Sequence, residues 1–233
     1  MTDMMKHHRR ISRCLYLMGI AVIALMAGNG CGQYQLAGFN KHAARGDHAW
    51  IAGQAIDCRQ PSETCSRLHC FKGEACLKLA DAGIRPPVNY HCAINEFTTG
   101  LALLSEEATG NERLRCQELL CQALTHAQQA QVSQTADRVL ATAKALYRLS
   151  PGSVPAHYYL SRARLMEIQN MPHPHGTAAR IPACIRLKRT TTDVLSMIQS
   201  AEHQPPPQWD RFAEKYQRLA FDLGEALGML NCR

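Results

Sequence analysis

The sequence predicts an all-α protein built of antiparallel helical hairpins. Strand patterns are nearly absent, because no run alternates Val, Ile, Thr or Tyr and no Asn-Gly or Asp-Gly turn joins such runs. Apolar residues instead recur at helical spacing along most of the chain. Aromatic residues make up only 6% of the chain, whereas Ala and Leu are abundant, which favours closely packed helices. We expect seven or eight helices with short connections, and disulfides in the N-terminal half.

Residues 1–30 have the pattern of an export signal. Basic residues between Lys6 and Arg13 precede an apolar run of 14 residues from Cys14 to Ala27. A helix that spans a membrane needs roughly 17 to 25 apolar residues, so this run suits a cleaved signal peptide better than an anchor. An uncleaved anchor remains an alternative interpretation. Export to an oxidising compartment would favour disulfides among the cysteines that follow.

The end of this segment, Gly28-Asn29-Gly30-Cys31, resembles the signal of bacterial lipoproteins. The resemblance implies that Cys31 is acylated and anchors the chain to a membrane. It also implies an outer-membrane location facing the periplasm, because Gly32 and not Asp follows the cysteine. The family pattern has Leu and then Ala or Ser at the first two positions, where this chain has Gly28 and Asn29. An ordinary signal peptidase would suit the same bond, giving a secreted or periplasmic protein with a free Cys31 thiol.

Charge and composition limit the classes of partner. Residues 31–233 carry 22 Lys and Arg against 18 Asp and Glu, a net charge of +4. Such a balance provides no basic stripe for a phosphate backbone, so we predict no nucleic-acid partner. We divide the chain into a signal peptide (1–30), a tether or linker (31–45), a Cys-rich helical region (46–131) and a second helical region (132–233).

The clearest hairpin lies around Pro151. A stripe from residue 136 to 147 predicts a helix beginning near Ser133 that ends at Pro151, where the ring forbids continuation. Ser153 can cap the next helix, which has its own stripe. The two stripes consist of Ala136, Val139, Leu140, Ala143, Leu146 and Tyr147, and of Ala156, Tyr159, Leu160 and Ala163.

Similar patterns predict further helices. Thr109 and Glu112 have capping-box spacing before a helix that runs to about Gln131, and Asn89 can cap a helix after the break at 85–87. The prolines at 205–207 introduce the last helix. We interpret Gly73 as a close contact between helices. The corresponding stripes are Leu68, Phe71, Ala75 and Leu79; Ala93, Phe97, Leu101 and Leu104; and Phe212, Tyr216, Leu219, Ala220, Leu223 and Leu227.

Residues 139–165 resemble a junction between tetratricopeptide repeats. Pro151 matches the proline at the end of a repeat, Leu160 the family's leucine and Ser161 its small residue. Arg164 stands where the family has tyrosine, and Leu146 where it has alanine. Repeats of this family recur every 34 residues. The next proline stop lies 54 to 56 residues after Pro151, so we expect an inserted loop near 171–182.

This resemblance implies a degenerate array, and a simple helical bundle that shares one hairpin with the family is the alternative. Such arrays bind proteins on a concave surface. The protein-binding candidates that it implies are His157, Tyr158, Ser161 and Arg164.

Nine cysteines follow Cys31, and seven of them lie between residues 58 and 121. We expect disulfides or buried thiols, with the pairing left open, and an odd number leaves one thiol unless a free Cys31 takes part. No C-x-x-C motif occurs, which argues against a zinc ribbon or a thioredoxin-like pair. Cys116 and Cys121, five residues apart, lie on different helix faces. The candidates are Cys58, Cys65, Cys70, Cys76, Cys92, Cys116, Cys121, Cys184 and Cys232.

No catalytic motif accompanies these features. The sequence lacks the G-x-S-x-G, H-E-x-x-H, Walker and dinucleotide-binding patterns. His173 and His175 lie close together in a loop without carboxylate companions, so we predict no metal site and no cofactor. We expect a non-enzymatic scaffold that binds a protein partner in the cell envelope, in an assembly or a transporter. The alternatives are a helical small-ligand-binding component of a transporter and an enzyme with a dispersed His and Cys site.

Overall fold

The structure is a computed structural model that describes residues 32–58, 62–104, 110–132, 136–171 and 177–232. This part of the chain is all-α, as predicted, and contains nine helices. Helix α1 covers residues 32–44. The others are α2 (His48–Gly53), α3 (Glu63–Asp81), α4 (Pro86–Leu103), α5 (Asn111–Gln129), α6 (Ala136–Leu149), α7 (Val154–Gln169), α8 (Thr177–His203) and α9 (Trp209–Met229).

The helices pack as sequential antiparallel hairpins. From α2 onward, each helix contacts the next one along the chain. The odd-numbered helices α3, α5, α7 and α9 also contact one another in a row. Among the described residues, the backbones of α4, α6 and α8 do not approach one another in this way, although Arg138 of α6 donates to the Thr98 hydroxyl of α4 at 3.3 Å. The alternate helices therefore form two layers, of which the odd-numbered layer is the more closely packed.

The segment predicted as a tether is helical where it is described, which corrects the assignment of 31–45 as a linker. Phe39 is fully buried and Leu36 nearly so, and both pack against Ile51, Leu68 and Ala75. Residues three apart lie on one helix face, so α1 has an apolar side that α2 and α3 cover. This second small core was not predicted, and α1 and α2 bring the helix count above the expected seven or eight.

The loop predicted near 171–182 is only partly testable. Residues 172–176, which include His173 and His175, lie outside the described residues, while 177–182 form the start of α8. The helix continues through Pro182 because Ala183, Leu187 and Val194 make a buried stripe on its inner face. Part of the segment predicted as a loop thus belongs to a helix of 27 residues.

Helix starts follow the predictions in part. Ser153 caps α7, and its hydroxyl accepts a hydrogen bond from the Ala156 amide at 3.4 Å. Asn89 does not cap α4: the helix begins at Pro86, and the Asn89 amide donates to the carbonyl of Ile84 at 2.6 Å. The amides of the first helical turn have no partner within the helix, so a proline fits there without losing a hydrogen bond. Helix α4 therefore begins earlier than the capping pattern indicated.

The start of α5 also differs from the capping-box prediction. Gly110 is the N-cap residue and makes no side-chain cap, and Thr109 lies outside the described residues. The Glu112 carboxylate instead pairs with Arg67 of α3 at 2.5 Å. Glu112 therefore links two helices and does not close the end of its own.

Four disulfides cross-link the structure, three of them in the N-terminal half as predicted. Cys121, also a disulfide candidate, is instead a buried free thiol. Burial raises the pKa of this thiol well above its ordinary range. The pairs are Cys58–Cys65, Cys70–Cys116, Cys76–Cys92 and Cys184–Cys232.

These bridges indicate an oxidising, extracytoplasmic environment. Of the helices in the described ranges, none combines the length and the apolar character needed to cross a membrane. The predicted signal peptide and Cys31 lie outside the described residues, so both stay predictions.

Candidate functional site

Helix α7 has an opening on each side. Helices α6 and α8 both pack against α7, but within the described ranges they do not contact each other. Helices α5 and α9 also pack against α7, and the ion pair of Glu118 with Arg211, at 2.6 Å, joins α5 to α9. Because α7 presents side chains in every direction, residues that are neighbours in its sequence face different openings.

The first opening, which we call the α6–α8 groove, is a cavity of about 490 Å³. Its floor consists of α7 residues at spacings of three and four, which share one helix face. Its walls are a tyrosine of α6 and one side of α8. The lining residues are Tyr147 on α6; His157, Leu160, Ser161 and Arg164 on α7; and Arg189, Asp193, Ser196, Met197 and Ser200 on α8.

Three of the four predicted binding residues therefore lie together in this groove. The His157 ring makes an edge contact with Tyr147, with 5.1 Å between ring centroids. Ser161 is 4% exposed and lies at the groove floor, where its hydroxyl can donate and accept a hydrogen bond.

The charges of the groove are mainly positive. Arg164 lies 3.6 Å from the Asp193 carboxylate, a long and solvent-exposed pair. Arg189 is exposed on the opposite wall and has no ion pair within the described part of the chain. Exposed pairs contribute about 0–1 kcal/mol, so Arg164 can exchange Asp193 for another carboxylate at little cost.

Tyr158, the fourth predicted residue, lies on the other side of α7. Its ring packs against Phe212 and Tyr216 of α9, at centroid distances of 5.3 and 5.7 Å. There it lines the second opening, which we call the α5–α9 cavity, with a volume of about 430 Å³. The lining residues are Gln129 of α5; Tyr158 and Arg162 of α7; and Glu214, Lys215, Arg218, Leu219 and Asp222 of α9.

An ion-pair network joins α7 to α9 at this cavity. Arg162 donates to Asp222 at 2.5 Å, and Arg218 lies 3.3 Å from the same carboxylate. The side chains of Arg162 and Asp222 are only 14% and 16% exposed. Sequence analysis did not identify Arg162. The signal that could have indicated it is a charged residue between two small residues, Ser161 and Ala163, that are both buried.

Burial also shifts two pKa values at the cavity. Burial raises the pKa of Tyr158, which keeps its hydroxyl protonated at neutral pH. Burial, with the nearby positive charge of Arg211, lowers the pKa of Lys215. The Lys215 ammonium lies 4.8 Å from the centroid of the Phe212 ring, and no carboxylate among the described residues pairs with it.

The described residues bring no three His, Cys, Asp or Glu side chains together as metal ligands. Two of the described histidines outside the α6–α8 groove pair with carboxylates of other helices, His69 with Glu96 and His126 with Asp81. Both openings place arginine side chains and hydrogen-bonding groups beside apolar surface.

Comparison of this chain with protein-family models, with curated proteins and with solved structures found no match. The protein is therefore characterised here as an all-helical protein of antiparallel packed helices, with candidate binding surfaces on both sides of α7.

Proposed function

We propose that this protein is an exported, non-enzymatic scaffold that binds a protein partner in the α6–α8 groove. The observation that carries the proposal is the collection of His157, Ser161 and Arg164 on one open face of α7. A helical array that leaves one helix face uncovered offers a surface on which a partner segment completes the packing.

The groove chemistry suggests which kind of segment fits. Leu160 and Met197 give it apolar surface, and Tyr147 adds an aromatic wall. Arg164 and Arg189 favour an acidic residue in the partner. The second half of the chain is positively charged and so also favours an acidic partner, since residues 132–233 contain 13 Lys and Arg but 8 Asp and Glu.

The sequence and the disulfides together support the proposed location. Four disulfides indicate an oxidising compartment, and residues 1–30 have the pattern of an export signal. We include in the proposal a lipid anchor at Cys31 and an outer-membrane position facing the periplasm. The tetratricopeptide-like character of the hairpin around Pro151 belongs to this proposal, because it would place the groove in a protein-binding array.

Site-specific photocrosslinking tests the groove. A photoreactive side chain at exposed Ser196, on the groove wall, should capture one defined partner in cells that express the full chain. The same side chain at Gln199, exposed on α8 but not in the groove, is the matched control. The captured protein is then purified, and its affinity for the scaffold is measured directly.

In that measurement, Arg189→Glu should weaken binding at least tenfold, because it reverses a charge in the groove. Gln199→Glu, which adds a negative charge outside the groove, should leave affinity nearly unchanged. Equal crosslinking at both positions, or an affinity that Arg189→Glu leaves intact, would overturn the proposal.

A further inference from the structure

The α5–α9 cavity contains more positive charge than its own carboxylates neutralise. Arg162 and Arg218 both bind Asp222, so that one carboxylate is shared by two guanidinium groups. Glu214, the other lining acid, is exposed and stays in contact with water. Lys215 is half-buried and has no ion-pair partner in the described ranges, and its ammonium lies over the Phe212 ring.

The cavity also offers hydrogen-bond donors without acceptors. The Nε atom of Arg162 is buried and has no hydrogen-bond partner in the described part of the structure. The Tyr158 hydroxyl has none there either, although its ring is held by Phe212 and Tyr216. Gln129 adds an amide from the α5 side. Buried donors are usually satisfied, so the Nε–H group of Arg162 indicates a missing acceptor, beside which the Tyr158 hydroxyl and the exposed Gln129 amide can also donate.

An oxyanion matches these unused groups. Its negative charge would compensate the Lys215 ammonium, and its oxygens would accept from Tyr158 and Gln129. Burial, together with Arg211, lowers the pKa of Lys215, although the Glu118 and Asp81 carboxylates oppose this shift. The cavity volume, about 430 Å³, lies in the range of small-molecule sites.

We propose that the α5–α9 cavity binds a small oxyanion, a carboxylate or a phosphate, through the Lys215 ammonium and the Tyr158 hydroxyl. This site lies on the opposite side of α7 from the α6–α8 groove and uses none of its residues. The inference therefore does not rest on the proposed protein-binding function, and each can fail while the other holds.

Titration calorimetry of the full chain with citrate and with inorganic phosphate tests the site, in a chloride buffer. At least one probe should bind saturably and raise the Tm. Tighter binding of citrate would assign the natural ligand to carboxylates, and tighter binding of phosphate to phosphate compounds. Absence of saturable binding for both probes would overturn the proposal.

Variants distinguish the cavity from adventitious surface binding. Lys215→Met should weaken binding at least tenfold, and Tyr158→Phe, which removes only the hydroxyl, should weaken it several-fold. Lys144→Met removes a fully exposed lysine of α6 and should bind like the unmodified protein. If Lys215→Met proves unfolded by circular dichroism, Tyr158→Phe decides. Equal affinity of Tyr158→Phe and Lys144→Met would overturn the site.

Discussion

Gly73 of α3 lies directly against the ring of Phe97 of α4. A Cβ atom at residue 73 would be 2.8 Å from the Cδ1 and Cε1 atoms of that ring. Phe97 is fully buried, so its ring cannot move into solvent. The Cys76–Cys92 disulfide joins the same two helices one turn away. The glycine thus sets the distance between α3 and α4.

Gly73→Ala should destabilise the protein by about 1–3 kcal/mol, since the added methyl group overpacks the contact with Phe97. The loss should exceed the helix-propensity gain of about 0.5–1 kcal/mol that an alanine normally brings. Urea unfolding followed by circular dichroism measures the difference.

Gly224→Ala is the matched control for Gly73→Ala. Gly224 is also helical, but a Cβ there would meet nothing within 4 Å. The variant should be more stable by about 0.5–1 kcal/mol. Effects of the same sign at both positions would contradict the role assigned to Gly73.

Asp222→Asn should cost about 1–3 kcal/mol of stability, because it leaves the largely buried Arg162 without its charged acceptor. Asp193→Asn removes the exposed partner of Arg164 and should change stability by less than about 0.5 kcal/mol. Thermal unfolding of both variants provides the comparison. Similar losses would show that the Arg162–Asp222 pair contributes no more than a surface pair.

The Glu96 carboxylate should make stability depend on pH. Burial alone would raise the pKa of Glu96, but hydrogen bonds from His69 and Lys72 lower it below its ordinary value of 4.5. A depressed pKa means that the native state binds fewer protons than the unfolded state, so the stabilisation is present above pH 4.5 and is lost as pH falls below it.

Glu96→Gln removes this charge and tests the argument. The variant should be less stable than the unmodified protein at pH 7, and the difference should shrink as pH falls below 4.5. Chemical unfolding at pH 7 and pH 3 measures both values. A difference that stays constant over this range would contradict the assignment.

Cysteine accessibility tests the disulfide pattern. Unfolding without a reductant should expose Cys121, while the eight bridged cysteines should react with an alkylating reagent only after reduction. Peptide mass spectrometry assigns each site. Alkylation of Cys121 in the native protein, or of a bridged cysteine before reduction, would contradict the structure.

Replacing Cys184 and Cys232 by serine should lower the free energy of unfolding by about 2–4 kcal/mol.

Periodicity predicted the fold class and most helices, because stripes such as Phe212, Tyr216 and Leu219 must be buried somewhere. It missed α1, whose apolar side has only a few residues, including Leu36 and Phe39. Such short patterns do not stand out beside a signal segment. Helix α8 was partly missed because a proline at position 182 normally indicates a break.

The sequence predicted which residues of the candidate site are close to one another along the chain, but not which of them share a surface. The repeat resemblance selected four neighbouring residues of α7 but could not divide them between two faces, which depends on where α6 and α9 pack. Arg162 pairs with Asp222, which lies 60 residues further along the chain. Lys215 has no carboxylate partner among the described residues, and its ammonium lies over the Phe212 ring. Long-range contacts of this kind are not encoded in local spacing, and the disulfide pairing has the same origin.

Helix α7 separates two chemically different openings by the width of a single helix. Residues of α7 line both openings. A ligand or partner that rotated or shifted α7 by a fraction of a turn would therefore change the shape of both openings at once. Arg162, through its hydrogen bond to Asp222, links α7 to α9. A change in the orientation of α7 would therefore transmit binding at one opening to the other opening.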